Sequence, residues 1–168
     1  NTFPARFTLD GTDDYLEAAS NYSSDIVTSS GTFVMWLKRD GTQQSYTGLM
    51  MNRAGSTSSL NLFGTTHNIG YHWNDASESF LWNSGLTIPD ATWCMVALVV
   101  SSTEVKAYLY TNTSTPSTAQ NSNSHSSSTF RNINIGRDPS STQTSRYFDG
   151  DIGHSLFYSA ALTQGQVT

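Results

Sequence analysis

The chain has 168 residues and a net charge of −5, and only 12% of it is charged, about half the usual share. Its eight Lys and Arg residues form no cluster, which excludes the concentrated positive face that nucleic-acid binding needs. The longest apolar run, CMVALVV at 94–100, is far too short for a membrane helix, so no membrane insertion is expected.

Aromatics make up 12% of the residues and bury large areas, so one domain of this length can build a core. Ser, Thr and Asn take the place of charge on the surface, as suits a secreted, β-rich domain. No leader-like segment opens the chain, which predicts a mature or excised piece. The single cysteine, Cys94, has no internal disulfide partner and does not indicate a compartment.

In chain order, the first strand-like piece is FTLDGTDDYLE at 7–17, with Asp10, Gly11, Asp13 and Asp14 at its centre. TFVMWLKR (32–39) is apolar on both faces, as an inner strand would be. SLNLFGTT (59–66), NIGYHWND (68–75) and SFLWNSG (79–85) read as a meander of strands. TWCMVALVVS (92–101) is a second fully apolar strand. EVKAYLYT (104–111) alternates, with Val105, Ala107 and Leu109 on one face. Residues 111–129 are polar and low in complexity, and read as a long exposed loop. NINIGRD (132–138) and FDGDIGHSLFY (148–158) complete the strands, and SAALTQGQV (159–167) is the one helical candidate, of a turn or two. Short strands at close spacing predict an all-β fold: an antiparallel two-sheet β-sandwich of the jelly-roll type spanning 1–168.

The segments FTLDGTDDYLE, GTFVMWLKR, SGLTIPDATWCMVALVV, VKAYLY, INIGRD and YFDGDIGHSLFYSAAL follow one another in the order of the laminin-G-like, concanavalin A-like domains. The whole chain resembles that family. The resemblance implies two antiparallel sheets packed face to face, with the first strand beside FDGDIGHSLFY and the closing SAAL turned back over the sandwich. It also implies carbohydrate binding or adhesion as the usual work, with catalysis in a minority. One fold hosts many sites, so function has to come from the residues.

The aspartates have two readings. Asp10-Gly11 supplies what a tight turn needs. Alternatively, Asp10, Asp13 and Asp14, joined by Asp149 and Asp151 through the resemblance, would hold a structural calcium with carboxylate oxygens. The family ending commonly reads IDE, whereas this chain reads Ile152-Gly153-His154, which removes an aspartate that ligates calcium in related sandwiches.

Catalysis is not expected. Glu17, Glu78 and Glu104 are isolated, so the paired carboxylates of a glycosidase strand are missing. No nucleophile elbow occurs, and the four histidines lack zinc spacing. Trp36, Trp93, Phe33, Phe130, Phe148 and Phe157 read as core. Tyr71, Trp73 and Trp82 have polar neighbours and read as a stacking platform for sugar, with His72, Asn74, Asp75 and Asn83 at its edge. Their other reading is a cross-strand cluster that stabilises the sheet. Arg137 or Arg146 of the 137–147 loop, and the 40–46 loop, could stand beside the platform.

The expected function is non-catalytic binding of a polysaccharide or other glycan, as a module of a larger secreted, extracellular protein. The alternative is adhesion to an extracellular protein partner, or a structural spacer. Asn21-Tyr22-Ser23 and Asn112-Thr113-Ser114 would be glycosylation sequons in a eukaryotic setting.

Overall fold

The computed structural model describes residues 5–18 and 25–167; Asn21 of the first sequon lies outside them. The first strands are β1 (Phe7–Asp10), β2 (Leu16–Glu17), β3 (Ile26–Thr28), β4 (Gly31–Arg39), β5 (Gly48–Asn52), β6 (Ser58–Phe63) and β7 (Asn68–His72). A one-turn helix α1 (Ser77–Phe80) precedes β8 (Trp93–Val100), β9 (Val105–Tyr110), β10 (Ser117–Asn121), β11 (Ser128–Phe130), β12 (Ile133–Ile135) and β13 (Asp149–Tyr158). A last turn, α2 (Gln164–Val167), follows.

The strands form a six-stranded sheet, β1-β13-β4-β8-β9-β10, and a five-stranded sheet, β2-β12-β5-β6-β7, with β3 and β11 as a separate pair. Every named strand pairing is antiparallel. The two-sheet sandwich and the neighbouring positions of the first and last strands match the expectation.

The core lies between the sheets. Phe33, Met35 and Leu37 of β4 and Cys94, Val96, Leu98 and Val100 of β8 face Leu60 and Leu62 of β6 and Ile69 and Tyr71 of β7. Each fully buried large apolar side chain contributes about 1.5–3 kcal/mol relative to exposure. Cys94 is sealed within, and burial pushes its thiol pKa up to about 12, so it is an inert apolar filler.

Because side chains alternate, the opposite parity of β4, β8 and β9 points outward. Val34, Met95, Ala97, Val99, Tyr108 and Tyr110 form a second cluster there, flanked by Trp36, Leu162 and Val167. The closing segment covers part of this face. Thr32 Oγ1 donates to Ala160 O at 2.8 Å and accepts from Leu162 N at 3.0 Å.

Four expectations need correction. Residues 79–85 are not a strand. Asn74 and Asp75 take left-handed backbone conformations, φ 48° and 58°, which turn the chain out of the sheet. Buried Ser79 then holds α1, donating to Ala76 O at 2.6 Å and accepting from Trp73 N at 2.8 Å. The polar segment 111–129 is not all exposed loop: β10 pairs with β9, β11 pairs with β3, and His125 and Ser128 are buried. The sequon residue Asn112 does sit exposed, in the turn before β10. β5 (GLMMN) is a strand that the pattern reading passed over. Finally, Trp36 and Trp93 are only half-buried, and Trp36 belongs to the outer cluster.

A β-bulge in β13 falls between Ile152 and Ser155, where the family motif departs. It shifts the parity, so Ile152 and Phe157 both reach the core side although they differ by an odd number. Gly150, at φ +140°, crosses β4 so closely that a Cβ would stand 2.2 Å from Lys38 O, and no other residue fits there.

Candidate ligand-binding cleft

The expected aromatic platform is not on the surface. Tyr71 and Trp73 are 1% and 0% exposed, among the largest fully buried side chains. Ile69, Tyr71 and Trp73 share the core-facing parity of β7 and its extension, while Asn68, Gly70 and His72 face outward. The Trp73 indole N–H donates to Ser126 O at 2.8 Å, which satisfies it inside the core. Trp82 packs edge-on against Tyr71, centroids 5.5 Å apart, at the margin of the same cluster. Asn83 is engaged in its turn, accepting from Asn68 Nδ2 and Gly85 N, each at 2.9 Å. Of the predicted set, His72 lines a cleft, and Asp75 Oδ1 stands 3.8 Å from its Nε2. The polar company of Trp73 that suggested exposure belongs to the turn and to α1.

The cavity is a cleft of about 320 Å³ on the outward face of the five-stranded sheet, at the lower end of ligand-sized sites. Met51 of β5, Asn61 of β6 and His72 of β7 form its floor. Phe80 and Leu81 make one wall; both are exposed, at 37% and 64%. Phe80 packs edge-on against the His72 ring, centroids 5.0 Å apart. Tyr46 and Arg146 also line the cleft, with the Arg146 guanidinium 5.4 Å from the Tyr46 ring centre. Tyr46 takes φ +59°, a conformation that costs a non-glycine residue on the order of 1 kcal/mol and that is common at functional sites.

Arg53, Asp138 and Arg146 supply the charge. The Asp138 carboxylate is 1% exposed and lies between the two guanidiniums. Its Oδ1 accepts from Arg53 Nε, and its Oδ2 accepts from Arg53 Nη2 and Arg146 Nη1, both at 2.8 Å. Burial alone would raise the Asp138 pKa, but the Arg53 and Arg146 hydrogen bonds outweigh it and hold the carboxyl below its ordinary value. Of the arginines singled out by the sequence, Arg146 reaches the cleft and Arg137 does not. The Arg137 guanidinium stacks 3.3 Å over Tyr15 and donates to Asn134 Oδ1. Tyr46, Met51, Arg53, Asn61, Phe80, Leu81 and Asp138 escaped sequence reasoning. The outward parity of β5 and β6 was the available signal for Met51 and Asn61.

A larger recess, about 420 Å³, lies on the outer face of the six-stranded sheet beside the closing segment. Its Lys106 and Glu104 pair with each other at 2.7 Å. It lacks the convergent guanidiniums of the first cleft.

The aspartates separate into two groups. Asp10, Asp13 and Asp14 can bring carboxylate oxygens within 4.8 Å of one another, all exposed. Asp10 Oδ1 also accepts from Thr12 N at 2.9 Å, which closes the turn and holds its pKa down. Asp149 pairs with Asp10 across the ladder, and its side chain lies against Gly11, where a Cβ would stand 2.9 Å from Asp149 Cβ. Burial, then the Asp40 and Asp10 charges, raise the Asp149 pKa. Asp151 does not join them, contrary to expectation. It sits two residues along β13, opposite Thr8 rather than Asp10, and is bound to Lys38 Nζ at 2.7 Å and to Thr8 Oγ1 at 2.7 Å.

Beneath the first cleft's strands, His125 pins the 111–127 segment to the core. Ser101 O can only accept, so Nδ1 carries the proton across 2.6 Å, and Nε2 accepts from the Tyr71 hydroxyl at 2.9 Å. Burial lowers the pKa of His125, and likewise those of His67 and His72. The unfolded chain therefore takes up protons at a higher pH than the folded one. The stabilisation is complete above the ordinary value of 6.5 and is lost as pH falls through the folded values. Melting temperature is expected to fall steadily from pH 7.5 to 5, and to fall less steeply in His125→Gln. A flat profile would contradict the buried neutral histidine.

An antiparallel two-sheet sandwich with a recess on the face of one sheet defines a lectin-like β-sandwich. The chain belongs to the concanavalin A-like lectin/glucanases superfamily, whose family model matches residues 10–168. No curated protein matches it significantly. Solved structures do. Domain 4 of AbnA, a GH43 extracellular arabinanase from Geobacillus stearothermophilus, in complex with arabinotriose, is 18% identical with a TM-score of 0.67, over 95% of this chain and 73% of that one. The CBM40 of the Ruminococcus gnavus IT-sialidase, bound to α2,3-sialyllactose, is 15% identical with a TM-score of 0.61, over 82% and 80%. Domains LG4-5 of the mouse laminin α1 chain are 12% identical with a TM-score of 0.61, over 94% and 43%. At these identities the likeness establishes the fold.

Proposed function

We propose that this domain is a non-catalytic glycan-binding module of an extracellular protein, and that it binds in the cleft between Phe80 and Arg146. The observation that carries this is an exposed apolar and aromatic wall, Phe80 and Leu81, lining the same cleft as the part-exposed guanidinium donors of Arg53 and Arg146. Sugars offer C–H faces to the first and oxygen atoms to the second. The saccharides in the arabinanase and sialidase neighbours support the class of ligand. Affinity for one polymer class is expected in the micromolar to millimolar range, about −8 to −4 kcal/mol. Affinity electrophoresis against a polysaccharide panel tests this. Phe80→Ala should abolish retardation while leaving the melting temperature nearly unchanged. Absence of retardation by every polymer would transfer the weight to a protein partner, a reading favoured by exposed Leu156 and Tyr158 on the outer face of β13.

Calcium at the first turn is a second, independent proposal, supported by the convergence of Asp10, Asp13 and Asp14 beside Asp149. The remaining carboxylate oxygens and the like-charge pressure on Asp149 suit a hard dication. At about 100 times its dissociation constant, calcium would stabilise the fold by ~2.7 kcal/mol. That corresponds to a melting temperature roughly 5–10 °C above that in excess EDTA. Coincident melts would eliminate the cation.

A further inference from the structure

We infer that the cleft selects an acidic saccharide, one bearing a carboxylate that seats against Arg146 and Arg53. This rests on the glycan-binding reading above and names the class of sugar. Asp138 has both oxygens committed to the two arginines, so it has little left to offer a sugar hydroxyl. Arg146 gives Asp138 only Nη1, and its side chain remains 20% exposed at the cleft. Arg53 is 29% exposed and gives Asp138 Nε and Nη2, with Nη1 3.4 Å from Thr57 Oγ1. Among the lining residues two guanidiniums face one carboxylate.

Three further polar groups stand at or beside the cleft. Asp75 is 60% exposed and spends Oδ2 on Thr57 N at 3.1 Å; its charge acts on Arg53 and His72, which leaves Arg146 as the principal guanidinium for a ligand anion. Asn61 is turned inward on itself, donating to Leu62 O and accepting from Ser59 Oγ, each at 2.7 Å. His72 Nε2 is buried without a hydrogen-bond partner, 3.8 Å from Asp75 Oδ1. The polar groups left open at the cleft are therefore chiefly the guanidinium N–H groups of Arg146 and Arg53, which suit an acceptor-only ligand group. A carboxylate extends the alternation Arg–Asp–Arg with charge-assisted bonds to a fork already oriented by Asp138. The net charge of −5 opposes general attraction of polyanions, so acid-selective binding would report this local site.

The test is calorimetric titration of the whole domain at ~0.15 M salt, where long-range charge effects are screened beyond ~8 Å. The probes are an oligogalacturonate against its methyl ester, and sialyllactose against lactose. At least one acid should bind tenfold or more tightly than its neutral counterpart, by about the strength of a charged hydrogen bond. Arg146→Gln should cost the acid tenfold or more beyond whatever it costs the neutral form, so that the ratio between the two falls toward one. Arg146→Lys, which keeps the charge without the fork, should recover part of the loss. Equal binding of acid and neutral forms, or an Arg146→Gln that weakens both alike, overturns the inference and leaves the glycan-binding reading standing. Binding of neutral panel polymers alone does the same. Binding of no saccharide at all overturns both.

Discussion

Trp73→Ala is expected to destabilise the domain by about 3–5 kcal/mol, the range for deleting a buried large aromatic. For a chain of this size that lowers the melting temperature by roughly 6–20 °C. The indole is fully buried, in T-shaped contact with Phe130 at 5.6 Å and His125 at 6.0 Å. It also reaches Gly31, where a Cβ would stand 3.2 Å from its Cη2, so the cavity left behind is bounded by backbone on one side and cannot easily close. Its N–H satisfies Ser126 O, and its backbone amide is held by Ser79. Removal thus loosens the core, α1 and the 111–127 segment together. Trp73→Phe should recover most of the packing and leave only the Ser126 carbonyl without its donor, about 1–3 kcal/mol. A thermal or urea melt reads both variants. A Trp73→Ala protein melting within a degree or two of the parent would mean that the indole lies at the surface after all.

The second large effect falls on Asp138. Asp138→Ala leaves the Arg53 and Arg146 guanidiniums facing each other without their shared anion. Breaking a buried ion pair from one side costs about 3–5 kcal/mol. The arginines are part-exposed and rehydrate, so the lower end of that range is expected. Because the folded carboxyl is held below its ordinary value of 3.8, its contribution is complete above that pH and lost as pH falls through the lower folded value. The acid limb of the stability curve should therefore flatten in the variant. Converting Arg53 and Arg146 to methionine in the same background should regain stability, since no unpaired charge is then left. Should Asp138→Ala alone prove neutral, the three groups would be independent surface charges, and the oriented fork required for acid selectivity would not exist.

Much of the fold was legible in the chain because strands advertise themselves by parity and by apolar runs. β8 and β9 lie within a residue or so of where their patterns place them, and β9 faces the core with the residues its alternation names. The first and last strands pair as the family resemblance implies. Parity failed where both faces of a strand are apolar. In VMWL of β4 the pattern cannot say whether Met35 or Trp36 faces inward, and the inner face took Met35. It was legible but misread in NIGYHW, where Ile69, Tyr71 and Trp73 alternate with Asn68, Gly70 and His72; polar neighbours in sequence were mistaken for polar surroundings in space.

The chain by itself determined an all-β sandwich, a surface without a basic patch, and an aspartate turn that closes on its own amides, because each follows from local composition or from neighbours a few residues apart. The cleft is different. Arg53 follows β5, Asp138 and Arg146 follow β12, Phe80 ends α1 and Tyr46 precedes β5, so its parts are separated by up to 100 positions, from Tyr46 to Arg146, and meet only when the five-stranded sheet orders β12, β5, β6 and β7 side by side. No spacing rule links residues joined through sheet order, and only the tertiary structure could decide which arginines share an anion and which aromatic rings are left to meet a ligand.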